Sequence, residues 1–65
     1  MTDDAVIFAR PCVNHPDLSV SVARTIIGTY RMVFRDDDAG AVIESRVFQT
    51  QSAADNCARI LVNQP

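Results

Sequence analysis

The sequence of 65 residues is poor in the residue types that build metal, phosphate and redox sites. His15 is its only histidine, and Cys12 and Cys57 are too far apart to provide a zinc-ligand spacing. Gly28 and Gly40 are its only glycines, so the chain has no glycine-rich loop that could cradle a phosphate. We therefore expect neither a metal ion nor a cofactor.

Long hydrophobic runs and a basic leader are also missing. The first apolar run, Ala5–Ala9, is far too short for a signal core or a membrane span, and acidic residues precede it. The sequence therefore predicts a cytoplasmic protein that makes no membrane contact. In a reducing compartment both cysteines should remain free thiols, whereas an oxidising one would allow a Cys12–Cys57 disulfide.

The composition is that of a small globular protein, with 48% hydrophobic and 22% charged residues. Its length predicts a single small domain over residues 1–65. A chain of this size buries only about 60% of the surface that its unfolded form exposes, so a monomer has marginal stability. Association with a partner or with a second copy would therefore stabilise it.

The charge is unusual because lysine is absent and the formal net charge is −2, with a pI near 4.9. An acidic protein is not attracted generically to nucleic acid phosphates or to an anionic membrane. Arginine is well suited to bidentate contacts with carboxylates and phosphates. The six cations are Arg10, Arg24, Arg31, Arg35, Arg46 and Arg59.

The first half of the chain reads as strand. The run Ala5–Ala9 is consistent with a buried strand that Pro11 ends or marks as an edge, because proline cannot donate to a sheet ladder. From Leu18 to Arg35 apolar residues alternate with polar ones, as in a half-buried strand, and the length requires a break or sharp bend between Arg24 and Gly28. A helix over Pro16–Ile27 is the alternative, which the β-branched residues disfavour.

Two apolar segments around an acidic turn predict a β-hairpin. A four-residue loop, Asp37–Gly40, would place Phe34 opposite Ile43. A three-residue loop with a glycine bulge would place Phe34 opposite Glu44 instead. The two strands and the turn are Tyr30–Arg35, Ala41–Phe48 and Asp36–Gly40.

Burial favours the four-residue loop, because a slip of one residue would move every side chain of one strand to the other face. In this register one face of the hairpin is apolar and the other is charged. The apolar face comprises Tyr30, Met32, Phe34, Ile43 and Val47. The charged face comprises Arg31, Arg35, Glu44 and Arg46.

The period then changes from two to that of a helix over Gln51–Val62. Ser52 is the expected N-cap, with Asp55 three residues later, and Thr50 is the alternative. The helix is too short to stand alone in water, so it must dock on the apolar face of the hairpin. The predicted fold is α+β: a small antiparallel sheet of three or four strands with one C-terminal helix packed on one face. The expected apolar stripe is Ala53, Cys57, Ile60 and Leu61.

The sequence offers few combinations of residues that could form a catalytic site. Cys12 with His15 is the only nucleophilic pair that can be constructed, and no third group orients it. The run of Asp36, Asp37 and Asp38 lacks the alternating spacing and distal glutamate of a calcium loop. We therefore expect a protein that is not an enzyme.

The charged residues of the hairpin suggest a role in binding. Arginine is enriched at interface hot spots, and a cluster of carboxylates can dock on a basic groove. We expect a small protein-interaction module that inhibits or regulates a larger protein. In length and acidity alone the chain resembles inhibitors encoded by phages and mobile elements, anti-CRISPR proteins included. The predicted partner-binding residues are Arg31, Arg35, Asp36, Asp37, Asp38, Glu44 and Arg46.

Two alternatives come from other classes. A nucleic-acid-associated regulator would use the arginine-bearing face of the sheet, and it is the weaker alternative because the protein is acidic. A structural homodimer would pair an exposed edge strand, such as Ala5–Ala9, across a two-fold axis.

Overall fold

An antiparallel sheet of four strands followed by one helix forms the structure, a computed structural model that describes residues 4–65. The strands lie in the order β1-β2-β3-β4, so each pairs with its neighbour in sequence. The helix packs against β2 and β3 and less extensively against β4. The α+β prediction is confirmed. The elements are β1 (Ala5–Pro11), β2 (Leu18–Arg24), β3 (Tyr30–Asp36), β4 (Ala41–Phe48) and α1 (Gln51–Val62).

The central strands β2 and β3 follow the predicted alternation. Val20 pairs with Phe34, and Val22 pairs with Met32. Because directly paired residues share a face, these four side chains lie together beneath α1, on what we term the helix face. Val20, Val22 and Met32 are completely buried. The strand interpretation of this region is therefore confirmed, and the alternative helix over Pro16–Ile27 is wrong.

The strand β1 is an exposed edge of the sheet rather than the buried strand that its apolar sequence suggested. Only Phe8 is even half-buried in it. The strand has one neighbour, β2, and the register shifts between Val6 and Phe8, where Ile7 is an extra residue. Pro11 ends the strand, as expected. Position in the sheet, which hydropathy does not report, decides the exposure.

The hairpin between β3 and β4 has the predicted loop but not the predicted register. Asp36 pairs with Ala41, as a four-residue loop requires, yet Phe34 pairs with Glu44. The extra residue is Ile43, and a bulge of this kind reverses the alternation of the strand beyond it. The predicted pairing of Phe34 with Ile43 is therefore wrong.

The bulge redistributes the side chains of β4. Ile43 and Val47 are 52% and 54% exposed, so the prediction that they lie beneath α1 is wrong. Arg46 pairs with Met32, and Glu44 pairs with Phe34, which places both charged residues on the helix face at the edge of the sheet. Among the five predicted members of the apolar face, Tyr30, Met32 and Phe34 do pack in or against the core.

The helix begins and ends where the sequence predicts. Its N-cap is Thr50, whose hydroxyl accepts a hydrogen bond from the Ala53 N–H at 3.2 Å, so the preference for Ser52 as the cap is wrong. The Asn63 amide closes the other end by donating to the Arg59 carbonyl at 2.9 Å. Ile60 is 72% exposed and does not belong to the apolar stripe. The core consists of Cys12, Val20, Val22, Met32, Phe34, Ala54 and Ala58.

Candidate partner-binding surfaces

The predicted charged face is divided between the two sides of the sheet. Arg31 pairs with Ala23, and Arg35 is one residue from Phe34 on β3, so both arginines lie opposite the helix, on what we term the open face. Glu44 and Arg46 lie on the helix face instead. The expectation that these four residues share one face is therefore wrong, and the reason is the bulge at Ile43.

Each arginine of the predicted charged face is paired with a carboxylate. Arg31 lies 3.2 Å from Asp4, and Arg35 lies 3.8 Å from Asp37. Arg46 forms an ion pair with Glu44. The arginine side chains are 41–59% exposed, and ion pairs this exposed stabilise a protein by less than about 1 kcal/mol. Their main effect is to reduce the positive potential of the surface.

The acidic turn has one structural and two exposed carboxylates. The Asp36 carboxylate accepts hydrogen bonds from the Asp38 and Ala39 N–H groups, both at 3.1 Å. This is the Asx geometry expected of aspartate at the start of a turn, and the turn ends at Gly40 with a φ of 68°. Asp37 and Asp38 are exposed, so they are the members of the acidic run that a partner can reach.

The predicted break between Arg24 and Gly28 is confirmed as a second hairpin tip, at Thr25–Thr29 between β2 and β3, but the exposed apolar residues that it carries were not predicted. Ile26 and Ile27 are 75% and 80% exposed at this tip. The Thr25 N–H donates to the Thr29 carbonyl at 2.9 Å, and the two hydroxyls lie 2.6 Å apart. Gly28 has a φ of 85°, which closes the turn without strain. The sequence feature that could have indicated an exposed apolar tip is the pair of isoleucines next to a glycine at the predicted break.

The turn that carries the two isoleucines is internally braced. Thr25 is only 8% exposed, although it is polar. Its hydroxyl also accepts a hydrogen bond from the Thr29 N–H at 3.2 Å, and its carbonyl accepts one from the Gly28 N–H at 3.1 Å. These bonds hold the backbone of the tip in one conformation while its two large side chains point away from the core.

The open face near this tip is also apolar. Val6 pairs with Ala23, two residues before the turn begins, and Val47 pairs with Arg31, two residues after it ends. Val6 is 67% exposed and Val47 is 54% exposed. Both valines lie on the open face beside the turn, because they pair with open-face residues. We term the set Val6, Ile26, Ile27 and Val47 the apolar end of the molecule.

A groove lies on the other side of the sheet, between β1 and α1. Its volume is about 550 Å³. The helix covers the strands β2–β4 and leaves the helix side of β1 open. The groove is lined by Ile7, Phe8, Arg10, Val13, Asp55, Arg59, Val62 and Asn63.

The structure brings together no nucleophilic pair from Cys12 and His15. Cys12 is buried, and its burial, assisted by the negative charges of Asp17 and Asp37, raises the pKa of its thiol. A thiol of this kind is a poor nucleophile at neutral pH. The His15 ring lies in hydrogen-bond contact with the Pro65 carbonyl, at 3.2 Å from Nε2.

Other kinds of site were also sought among residues 4–65. No three His, Cys, Asp or Glu side chains in this range are grouped so that they could hold a metal ion. In the same range, no helix has both the length and the hydropathy that crossing a lipid bilayer requires. Cys12 and Cys57 are both free thiols, and Cys57 packs half-buried against the core, in agreement with its place in the expected apolar stripe of the helix.

Comparison with known proteins finds no relatives. No family model matches the chain, and no curated protein or solved structure is significantly similar to it. Function must therefore be inferred from the surfaces described above.

Proposed function

We propose that this protein is a small, non-enzymatic interaction module that regulates a larger protein by covering part of its surface. The observation that carries the proposal is the braced turn that holds Ile26 and Ile27 in water, at 75% and 80% exposure. A single exposed aliphatic residue is ordinary, but adjacent large apolar residues on a rigid protrusion are typical of interaction sites.

The balance between exposed and buried apolar residues supports this proposal. Within residues 4–65, seven hydrophobic residues form the buried core, and two of them are alanines. Nine large hydrophobic residues in the same range are more than a third exposed. A protein with so small a core gains stability when a partner covers its exposed apolar surface.

The energetics favour the apolar end as the centre of the interface. Complete burial of an isoleucine side chain contributes about 1.5–3 kcal/mol. Ile26 and Ile27 together therefore supply roughly 3–6 kcal/mol by the same estimate. The hydrogen bonds of the turn already order the backbone, so little conformational entropy is lost on binding. The partner should offer an apolar pocket that accepts both side chains.

The charged residues predicted from the sequence would then serve as the surroundings of this interface. Arg31 lies on the open face beside Val47, where a polar rim would be. Asp37 and Asp38 lie in the turn at the opposite end of β3, together with Asp36. Charges outside an interface mainly steer association and orient the partner. The same set of charged residues around the interface includes Arg35, Glu44 and Arg46.

The decisive experiment is affinity capture from the native host, followed by mass spectrometry, with a matched pair of variants. The tip variant is Ile26→Ser with Ile27→Ser. The control variant is Ile43→Ser with Ile60→Ser, which removes two exposed isoleucines elsewhere. We expect a stoichiometric protein partner that the wild type and the control capture and the tip variant loses.

Circular dichroism must first show that both variants are folded. Capture that survives in the tip variant, or that both variants lose equally, contradicts a role for the apolar end. A further variant, Asp37→Lys with Asp38→Lys, should slow association with the same partner. An unchanged association rate contradicts the proposed steering role of these two carboxylates.

The two alternative functions have less support. Nucleic-acid binding by the predicted arginine-bearing face would need free guanidinium groups on that face, whereas Arg31, Arg35 and Arg46 are each paired with a carboxylate. Homodimerisation through an edge would need a regular strand, whereas β1 and β4 each contain a bulge, a feature that protects edges from pairing. A gel-shift titration at low salt and light scattering at high protein concentration test the two alternatives.

A further inference from the structure

The groove between β1 and α1 has an apolar floor and a polar wall. Its apolar lining comes from both elements and from the loop after β1, where the Val13 N–H donates to the Val62 carbonyl at 2.8 Å. This hydrogen bond fixes one end of the groove. The apolar lining is Ile7, Phe8, Val13 and Val62.

Two arginines flank this floor. The guanidinium of Arg10 lies over the ring of Phe8, 6.0 Å from its centroid, and Arg59 lines the groove from the last turn of the helix. Among residues 4–65, neither arginine has a carboxylate within 4.0 Å, and Asp55, one turn before Arg59 on the helix, forms no ion pair with it. These arginines therefore differ from Arg31, Arg35 and Arg46, and they are available to a ligand that carries negative charge.

Asp55 also lines the groove, but its Oδ1 atom is buried, and no described residue donates a hydrogen bond to it. A buried acceptor without a partner destabilises the folded state. Because a buried atom is out of reach of a ligand, the contacts that the groove offers to a ligand are its two arginines and its apolar floor.

We infer that this groove binds a short extended peptide segment that carries a carboxylate side chain and an apolar side chain. The carboxylate would face Arg10 and Arg59, and the apolar side chain would lie on the floor. A free phosphate would leave the apolar floor unused, and a basic peptide would meet two arginines. The volume of about 550 Å³ is that of a typical ligand site.

This inference rests on the proposed function, since the peptide would belong to the larger partner protein. The groove lies on the helix side of the sheet, whereas Val6 and Val47 of the apolar end lie on the open face. The groove and the apolar end are therefore separate contacts that can be tested one at a time.

The test is a titration of the ¹⁵N-labelled chain followed by NMR. The probe is the acidic peptide acetyl-Glu-Leu-Glu-Leu-amide, and the comparison probe is acetyl-Lys-Leu-Lys-Leu-amide. We expect only the acidic peptide to shift amide resonances of the groove, including those of Val13, Arg59 and Asn63. Equal binding of both peptides, or shifts that avoid these residues, overturns the inference.

Matched variants sharpen the titration. Arg59→Gln should weaken binding of the acidic peptide at least fivefold. Arg24→Gln removes the same charge from an exposed arginine outside the groove, so it should leave binding unchanged. An equal loss in both variants would show that net charge alone attracts the peptide, which overturns the inference.

The tip variant Ile26→Ser with Ile27→Ser separates the two proposals. It should bind the acidic peptide as the wild type does. If peptide binding fails while capture of the partner still depends on the tip, the groove inference alone is wrong. If the groove binds the peptide while capture does not depend on the tip, the proposed function of the apolar end is wrong.

Discussion

The central strands and the edge strands of this sheet differ in how firmly their side chains are assigned to a face. β2 and β3 pair without interruption over seven residues each, and they supply four of the seven buried core residues. β1 and β4 each contain one extra residue, Ile7 and Ile43, and neither contributes a member to the buried core. The centre therefore determines stability, while the edges are free to present side chains to solvent or to a partner.

Deleting one residue from each kind of strand should give the largest difference. Deletion of Val33 from β3 would move one part of the strand to the wrong face, so we expect loss of cooperative folding. Deletion of Ile43 from β4 removes only the bulge residue, so the protein should stay folded and lose about 1 kcal/mol or less. Circular dichroism during urea unfolding measures the stability of both deletion variants. Equal losses of stability would contradict the distinction between the central and the edge strands.

Truncation of single side chains should show the same contrast on a smaller scale. Met32→Ala creates a cavity in the fully buried centre, and we expect a loss of about 2–5 kcal/mol in the free energy of unfolding. Val47→Ala on the edge strand should change it by no more than about 0.5 kcal/mol, since Val47 is 54% exposed. A loss above about 1 kcal/mol for Val47→Ala would mean that the edge also supports the core.

The helix that covers the central strands provides a third test. Thr50→Ala removes the hydroxyl that caps the helix, and it should lower the free energy of unfolding by about 1 kcal/mol. Ser52→Ala, in the first turn, is the matched control and should have little effect. A larger loss of stability in Ser52→Ala than in Thr50→Ala would identify Ser52 as the N-cap and would contradict the observed geometry.

The smallest effect should come from the ion pair on β4. A double-mutant cycle with Glu44→Gln and Arg46→Gln should give a coupling below about 1 kcal/mol, because both side chains are more than a third exposed. High salt should reduce the coupling further. A larger coupling that resists salt would show that this edge is structurally more important than its exposure indicates.

The sequence predicts the fold well where local signals and burial agree. Alternation over Leu18–Arg24, the acidic turn and the change of period at Gln51 yield the strands, the hairpin and the helix. The register of β4 could not be predicted, because nothing about Ile43 in the sequence distinguishes a bulge residue from a paired one. The choice of register by burial counted Ile43 and Val47 as core residues, although the structure exposes both.

The candidate sites could be predicted only in part. Asp37 and Asp38 are exposed as expected. Arg35 and Arg46 pair with carboxylates two residues away in sequence, whereas the pairing of Arg31 with Asp4 depends on tertiary proximity. The groove joins β1 to the last turns of α1, and no local pattern reports such a contact. The exposure of Ile26 and Ile27 could not be predicted from the sequence, because hydrophobic residues are ordinarily assigned to the interior.

The order of the elements also has a consequence for synthesis. All four strands are synthesised before the segment that shields Val20, Val22 and Met32. At about 5–20 residues per second, Val62 is added on the order of one second after Phe48. A meander that forms before the helix docks has its apolar side bare, and until then a chaperone, a second nascent chain or the partner itself can engage it.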